Sequence, residues 1–360
     1  MARRWRHGTG TVVAGTKCRA PAAPSGCTAT APRRVQPDPG RRYGDRVLGK
    51  ILGGLGKVLI AAGLLVLGFV GYQLWGTGLE TSRGQSELTE QLAVDVGDPA
   101  VDEGTVDLDE LSEQLAEVNS QTAPPTAPPP EGEPVGIITI PKIGVSNVIV
   151  EGVTKADLKK GPGHYPGTPL PGQKGNSGIA GHRTTYGAPF NRIDELVPGD
   201  EIKVATPQGE FTYEVIPAPG QTTQAWYAVA PTEVGVLADV GDNRITLTAC
   251  HPKYSARQRI IVHAVLSTPP AAAAEVPVDR AEPVVDEVAT AEEFDEGLQG
   301  DSSALPKVLM FGAAALALVA LAWFLGRHFR PWAVYLVAAP GVLVLVWFGY
   351  VYMDRYLPAL

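Results

Sequence analysis

Three stretches of the chain are apolar without a break, and they divide it. Val58–Trp75 (VLIAAGLLVLGFVGYQLW), Val308–Leu325 (VLMFGAAALALVALAWFL) and Trp332–Val351 (WAVYLVAAPGVLVLVWFGYV) carry no charged residue. Each is about 18–20 residues, the helical length that crosses a ~30 Å hydrocarbon core. A soluble domain rarely needs helices that are apolar on every face. The pattern therefore predicts membrane-spanning helices within residues 51–77, 307–325 and 332–351. A cleaved leader fits the first run poorly, because it is too long and no small-residue cleavage site clearly follows.

Between the first two runs the periodicity changes from continuous to alternating. VGIITIPKIG and SNVIVEGV alternate and end at turn residues, and NSGIAGH reads as a short buried strand. DEIKVAT and EFTYEVIPA flank PQG, which predicts a hairpin. NRITLTAC and RQRIIVHAV close the series. TKADLKKG and APFNRIDEL read as helical turns. Eight or so short strands within residues 134–268 predict a mainly β fold, a closed β-barrel with short helices.

Charge assigns the remaining segments. The formal net charge is -8, but it is unevenly spread. Residues 1–50 are basic and rich in Arg, Pro and Ala, and read as a disordered tail. Residues 78–133 are acidic and end in the Pro-rich SQTAPPTAPPPEGE, which predicts a solvated, extended stalk. Residues 269–306 form a second acidic linker. Arg41, Arg42, Arg46, Lys50 and Lys57 precede the first span, and Arg327, His328 and Arg330 sit in the 326–331 link between the other two. Basic flanks face the cytoplasm, so the amino terminus and this link are expected inside. The barrel and the 352–360 tail are expected outside.

Cys250 is the only cysteine of the barrel segment, and Cys18 and Cys27 lie in the basic tail. The tail pair lacks the spacing and the partner histidines of a zinc site, and no metal or cofactor is expected. A lone thiol in a non-reducing compartment is either buried or reactive. Reactivity requires a base or a cation beside it, since the thiolate is the nucleophile. His164, His182, His251 and His263 are the available imidazoles. His251 follows Cys250 directly, so on a strand it points to the other face. His164 and His182 sit in Gly-rich turns (GPGHYPG, AGHRTTYG), where strands end and loops open. Arg257 and Arg259 share a parity on the last strand, and either could serve as the cation.

These residues carry a resemblance. TLTAC with Arg259 on the next strand, together with LKKGPGHYPGT, GHRTTYGAPFNRIDEL and TACHPKYSARQR, resembles the sortases, the cysteine transpeptidases of Gram-positive surfaces, and in particular the class E sortases of actinobacteria. The likeness runs from Pro134 to about Leu266. Ala249 stands where the family usually has Thr. The resemblance implies an eight-stranded barrel, with Cys250 as nucleophile, His182 as acid and base, and Arg259 as the substrate- and oxyanion-binding arginine. It implies cleavage of a Leu-(Ala or Pro)-x-Thr-Gly signal after Thr, a thioester, and transfer to an amine of a lipid-linked cell-wall precursor. The expected partners are surface proteins bearing that signal, the precursor and the membrane, with no nucleic acid. A pilin-polymerising enzyme that uses a Lys amine, and a non-catalytic surface module, are the alternatives. Tyr165 and His164 are expected on the wall of the signal-binding groove, with Tyr165 filling space that Pro would need and offering its hydroxyl to a peptide carbonyl.

Overall fold

The structure is a computed structural model that describes residues 39–98, 100–103, 106–274 and 301–357. The expectations for residues 1–38, with Cys18 and Cys27, and for 275–300 fall outside the described residues.

Among the described residues nine strands form one sheet: β1 Pro134–Ile140, β2 Val145–Glu151, β3 Gly163–His164, β4 Asn176–Ala180, β5 Glu201–Thr206, β6 Gly209–Val215, β7 Trp226–Val229, β8 Arg244–His251 and β9 Gln258–Leu266. The neighbour order is β6-β5-β1-β2-β3-β4-β8-β9, and β9 also pairs β6, which closes an eight-stranded barrel. β7 is an added strand paired along Arg259–Val262 of β9. The PQG hairpin forms as read, with Thr206 opposite Gly209.

Alternation sorts each strand into two faces. Ile245, Leu247 and Ala249 of β8 and Ile260, Val262 and Ala264 of β9 fill the barrel interior with Ile138, Ile149, Ile179, Val204 and Phe211. The opposite parity gives a second face that carries Thr246, Thr248 and Cys250. Burying a Val, Leu or Ile side chain contributes about 1.5–3 kcal/mol, so a one-residue slip would invert both faces and is strongly disfavoured.

Among the described residues, three helices are long and apolar enough to cross a membrane: Lys50–Gly71, Ser302–Leu325 and Pro331–Tyr356. The first lies within helix α1 (Pro39–Gly71). A π-helical turn, Tyr72–Gly76, joins it to α2 (Thr77–Val96). The unit that begins at Ala62 contains everything that follows.

The expectation of a solvated stalk over 78–133 is overturned. α2 and α3 (Leu108–Ala116) lie against the barrel, burying Leu88, Leu92, Ala93, Leu111 and Leu115 over Ile137, Val148, Val150 and Ala205. Few apolar residues are involved, but they recur at helical spacing, and the acidic residues occupy the opposite face. Gly84 lets α2 approach closely, because a Cβ there would stand 2.9 Å from Lys160 Cα. Gln85 accepts from Val148 N at 2.8 Å and donates to Lys160 O at 2.9 Å. The Pro-rich segment is docked as well: Gln173 donates to Thr126 O and Gln208 to Pro124 O, at 2.8 and 3.0 Å.

α4 (Leu305–Leu325) and α5 (Pro331–Tyr356) form an antiparallel hairpin. α5 packs on the end of α1, where Tyr350 OH donates to Leu65 O at 2.7 Å and Tyr72 meets Trp347 edge-on at 5.1 Å.

Candidate active site

β8 and β9 place Cys250 directly opposite Arg259. Register partners project to the same face, so the thiol and the guanidinium share the second face of the barrel. β4 runs parallel to β8 with Ala180 opposite Thr248. His182 lies two residues beyond the first of this pair and Cys250 two beyond the second, so parallel pairing brings both to the same rim. Gly181 N donates to Thr248 O at 3.0 Å, which carries the contact past the end of β4. Gly181 must lack a Cβ, which would stand 2.6 Å from the Phe190 ring.

The candidate arginines and histidines are placed differently. Arg259 is 1% exposed, and its Nη1 donates to the carbonyls of Ala256 and Gln258 at 3.0 and 3.1 Å. Arg257 is exposed and precedes β9. His251 is still in β8, opposite Gln258, so it faces away from Cys250 and lies beside Trp226 with ring centroids 5.4 Å apart. His263 is bonded to Thr246 Oγ1 and Tyr227 OH, at 2.9 and 2.8 Å.

His182 is fully buried, and neither ring nitrogen has a hydrogen-bond partner among the described residues. Its ring lies 5.1 Å from that of Tyr186. Burial, then the charges of Lys159 and Lys155, pushes its pKa down to about 3. Burial pushes the Cys250 thiol up, against the pull of Arg259 and Arg183. Both shifts favour the neutral imidazole and the neutral thiol. In the absence of peptide, alkylation of Cys250 by iodoacetamide is expected to be slow and to rise with pH through a midpoint above the ordinary thiol range. The sign follows because a raised pKa delays the thiolate to higher pH. A midpoint below that range would show that the arginines outweigh burial.

Two expected groove residues are placed differently. Tyr165 is fully buried in a cluster with Cys250, Ala180, Leu237 and Ile261, and its hydroxyl is bonded to Thr248 Oγ1 at 3.0 Å. It lies under the site, and the hydroxyl is engaged by Thr248 where a free peptide donor was expected. His164 is also fully buried, with Nδ1 2.7 Å from Glu151 Oε2 and Nε2 3.0 Å from both Pro169 O and Thr168 Oγ1. An imidazole with both nitrogens bonded inside the protein pins a loop and has no face left for a peptide. Ala249 faces the barrel interior, so the hydroxyl missing there would not have pointed at the site.

Arg183 is a residue that the sequence reading did not single out. It is 2% exposed; its Nη1 donates to Cys250 O at 3.3 Å and to His251 Nδ1 at 3.1 Å, and its Nη2 pairs with Asp194 at 2.9 Å. It ties the loop after His182 to the end of β8. The available signal was its position directly after that histidine. Val234 and Val236, in the turn Val234–Leu237, pack over the Cys250 cluster. Asn176 Nδ2 holds that turn through Val236 O and Ala238 O, both at 3.1 Å.

A family model described as a sortase domain matches residues 138–267. Sortase D of Bacillus subtilis is 34% identical over 158 residues, covering 44% of this chain and 72% of that protein. Sortase SrtE1 of Streptomyces coelicolor is 32% identical over 219 residues, covering 58% of this chain, and the match spans only 55% of SrtE1. Among solved structures, sortase E from Streptomyces avermitilis is 35% identical, with 43% of this chain and 97% of that chain covered and a TM-score of 0.34.

Proposed function

We propose that this chain, which belongs to the sortase family of cysteine transpeptidases and is similar within it to the class E members, cleaves a sorting signal after Thr and transfers the protein to an amine. The observation that carries the reading is the β8–β9 register, which sets Cys250 opposite Arg259 at the rim that His182 reaches from β4.

The chemistry follows from the roles these groups can fill. Cys250 Sγ passes its proton to the neutral His182 imidazole and, as thiolate, attacks the Thr carbonyl carbon of the signal. The carbonyl oxygen takes the negative charge, and the Arg259 guanidinium stabilises it. The tetrahedral species collapses as the C–N bond to Gly breaks, and the His182 imidazolium gives its proton to the departing amine. A thioester remains. An incoming amine attacks it, neutral His182 takes the amine proton, and Cys250 leaves as thiolate and recovers a proton from His182. Arg259→Ala should lower turnover by about 100–1000-fold, as loss of an oxyanion donor does, and Arg257→Ala by under about tenfold. Comparable losses at the two positions would leave the oxyanion role unassigned.

The three long apolar helices support a membrane setting. In this reading the chain is multi-pass, with its amino terminus inside and the barrel outside. The substrates are surface proteins with Leu-Ala-x-Thr-Gly-like or Leu-Pro-x-Thr-Gly-like signals, and the acceptor is a lipid-linked wall precursor. The test supplies both signal peptides with either a stem-peptide amine or a pilin lysine peptide and identifies the ligated product by mass. Products with the stem amine support anchoring. Exclusive use of the lysine peptide would assign pilus assembly, and the absence of any product would leave a non-catalytic module.

A further inference from the structure

The membrane hairpin ends in an acidic residue that is not exposed. Asp354, in the last turn of α5, is 6% exposed. A carboxylate rarely occupies such a position unless it is paired. Its partners come from three other parts of the fold. Gln73, in the π-helical turn after the first span, donates to Oδ1 at 3.0 Å. Lys159 Nζ stands 3.7 Å from Oδ2. The Tyr186 hydroxyl, from the loop that follows His182, donates to the same oxygen.

Tyr186 is the informative partner. It adopts a left-handed backbone with φ 52°, and Gly187 and Ala188 follow at 71° and 45°. A bulky residue enters that region only where its surroundings hold it. The surroundings here are the Tyr186 N–H donating to Thr77 Oγ1 at 3.3 Å, Lys159 Nζ 4.8 Å from the ring centroid, and Asp354. The Tyr186 ring also lies against His182, 5.1 Å away and tilted by 34°. A working histidine is usually oriented by a hydrogen bond to one ring nitrogen. His182 has none among the described residues, so packing sets its orientation.

We propose that Asp354 is a positioning residue for His182: from the end of the membrane hairpin it fixes Tyr186, and Tyr186 fixes the imidazole. A merely adhesive contact between hairpin and barrel could sit anywhere on the rim. This one falls on the side chain that packs on His182. The proposal rests on the reading of His182 as acid and base, and it gives the carboxyl-terminal hairpin a part in the reaction beyond anchoring.

The test uses the full chain in lipid nanodiscs, with Asp354→Asn, Tyr186→Phe and the double variant. Thioester formation from a sorting-signal peptide gives kcat and KM. Each single variant should lower kcat by roughly 10–100-fold, the range expected of small misplacements, with KM within about twofold. Because the two residues act in series, the double variant should lose no more than the worse single. Lys307→Gln, which removes a hairpin cation 5.1 Å over Tyr352, should leave kcat unchanged. Unchanged or increased kcat in Asp354→Asn, multiplied losses in the double variant, or an equal loss in Lys307→Gln would overturn the proposal. Tyr186→Phe keeps the ring and removes only the hydroxyl, so it stays readable if Asp354→Asn fails to assemble.

Hydrogen exchange gives a readout that needs no turnover. Phe190 N–H donates to His182 O at 3.1 Å, and its exchange should be at least about tenfold faster in Asp354→Asn. Equal protection would overturn the proposal even if the native protein proved unable to form a thioester. That second failure would count against the enzymatic reading alone.

Discussion

Replacing Cys250 with alanine in the full-length protein is expected to abolish thioester formation completely. Among residues 134–268 no other cysteine exists. The side chain on the same face nearest along β8 is Thr248, whose hydroxyl is bonded to Tyr165 at 3.0 Å and lacks a thiol's acidity. The loss should therefore have no residual component. The barrel should survive the change, since alanine remains apolar in a cluster formed by Tyr165, Leu237, Ile261 and their neighbours. Serine should fail as well, because its hydroxyl gains little from the Arg259 charge. The check is a gel or mass assay for the peptide adduct, run beside a thermal unfolding curve. Adduct formation at the native rate by Cys250→Ala would remove the nucleophile assignment.

The second large effect concerns the choice of histidine. His182→Ala is expected to slow thioester formation by about 100–10,000-fold, the range for a positioned acid or base. His251→Ala should cost under about tenfold. The difference follows from strand parity: His251 belongs to β8 and faces away from the thiol, whereas His182 enters the rim from β4. His251 is not inert, because Arg183 Nη1 donates to its Nδ1 at 3.1 Å and also reaches the carbonyl of Cys250. A moderate loss there would reflect a loosened Arg183. Steady-state rates with peptide in excess decide the matter, and a larger loss at His251 than at His182 would contradict the geometry.

Where the apolar pattern was strong, the fold was legible. The strands β1, β5, β6, β8 and β9 run over six to nine residues; burial alternates in β6, while β1, β8 and β9 are buried on both faces over most of their length. The same parity rule set His251 aside. It left Arg257 and Arg259 unresolved, because parity alone does not say where a strand begins. The structure begins β9 at Gln258 and so leaves Arg257 outside it.

Charge density hid α2 and α3, whose packing depends on a few residues such as Leu88, Leu92 and Leu111 at helical spacing within an acidic background. Tyr165 and His164 were read from the loop around them, GPGHYPG, as open to a peptide. Their partners Thr248, Glu151 and Pro169 come from elsewhere in the chain or from the turn itself, and those pairings appear only in three dimensions. Arg183 escaped notice because a basic residue in a loop usually reads as solvated. Its partners, Asp194 and the Cys250 carbonyl, lie 11 and 67 residues away. The docking of Asp354 on Tyr186 spans 168 residues and left no local signal.

The most direct measurement is the intact mass of the native full-length protein after incubation with a peptide containing Leu-Ala-x-Thr-Gly. The expected result is a mass gain equal to the peptide fragment ending in Thr, located on Cys250 by fragmentation and removed by hydroxylamine. An adduct mapped to any other residue, or cleavage of the peptide that proceeds undiminished in Cys250→Ala, would contradict it.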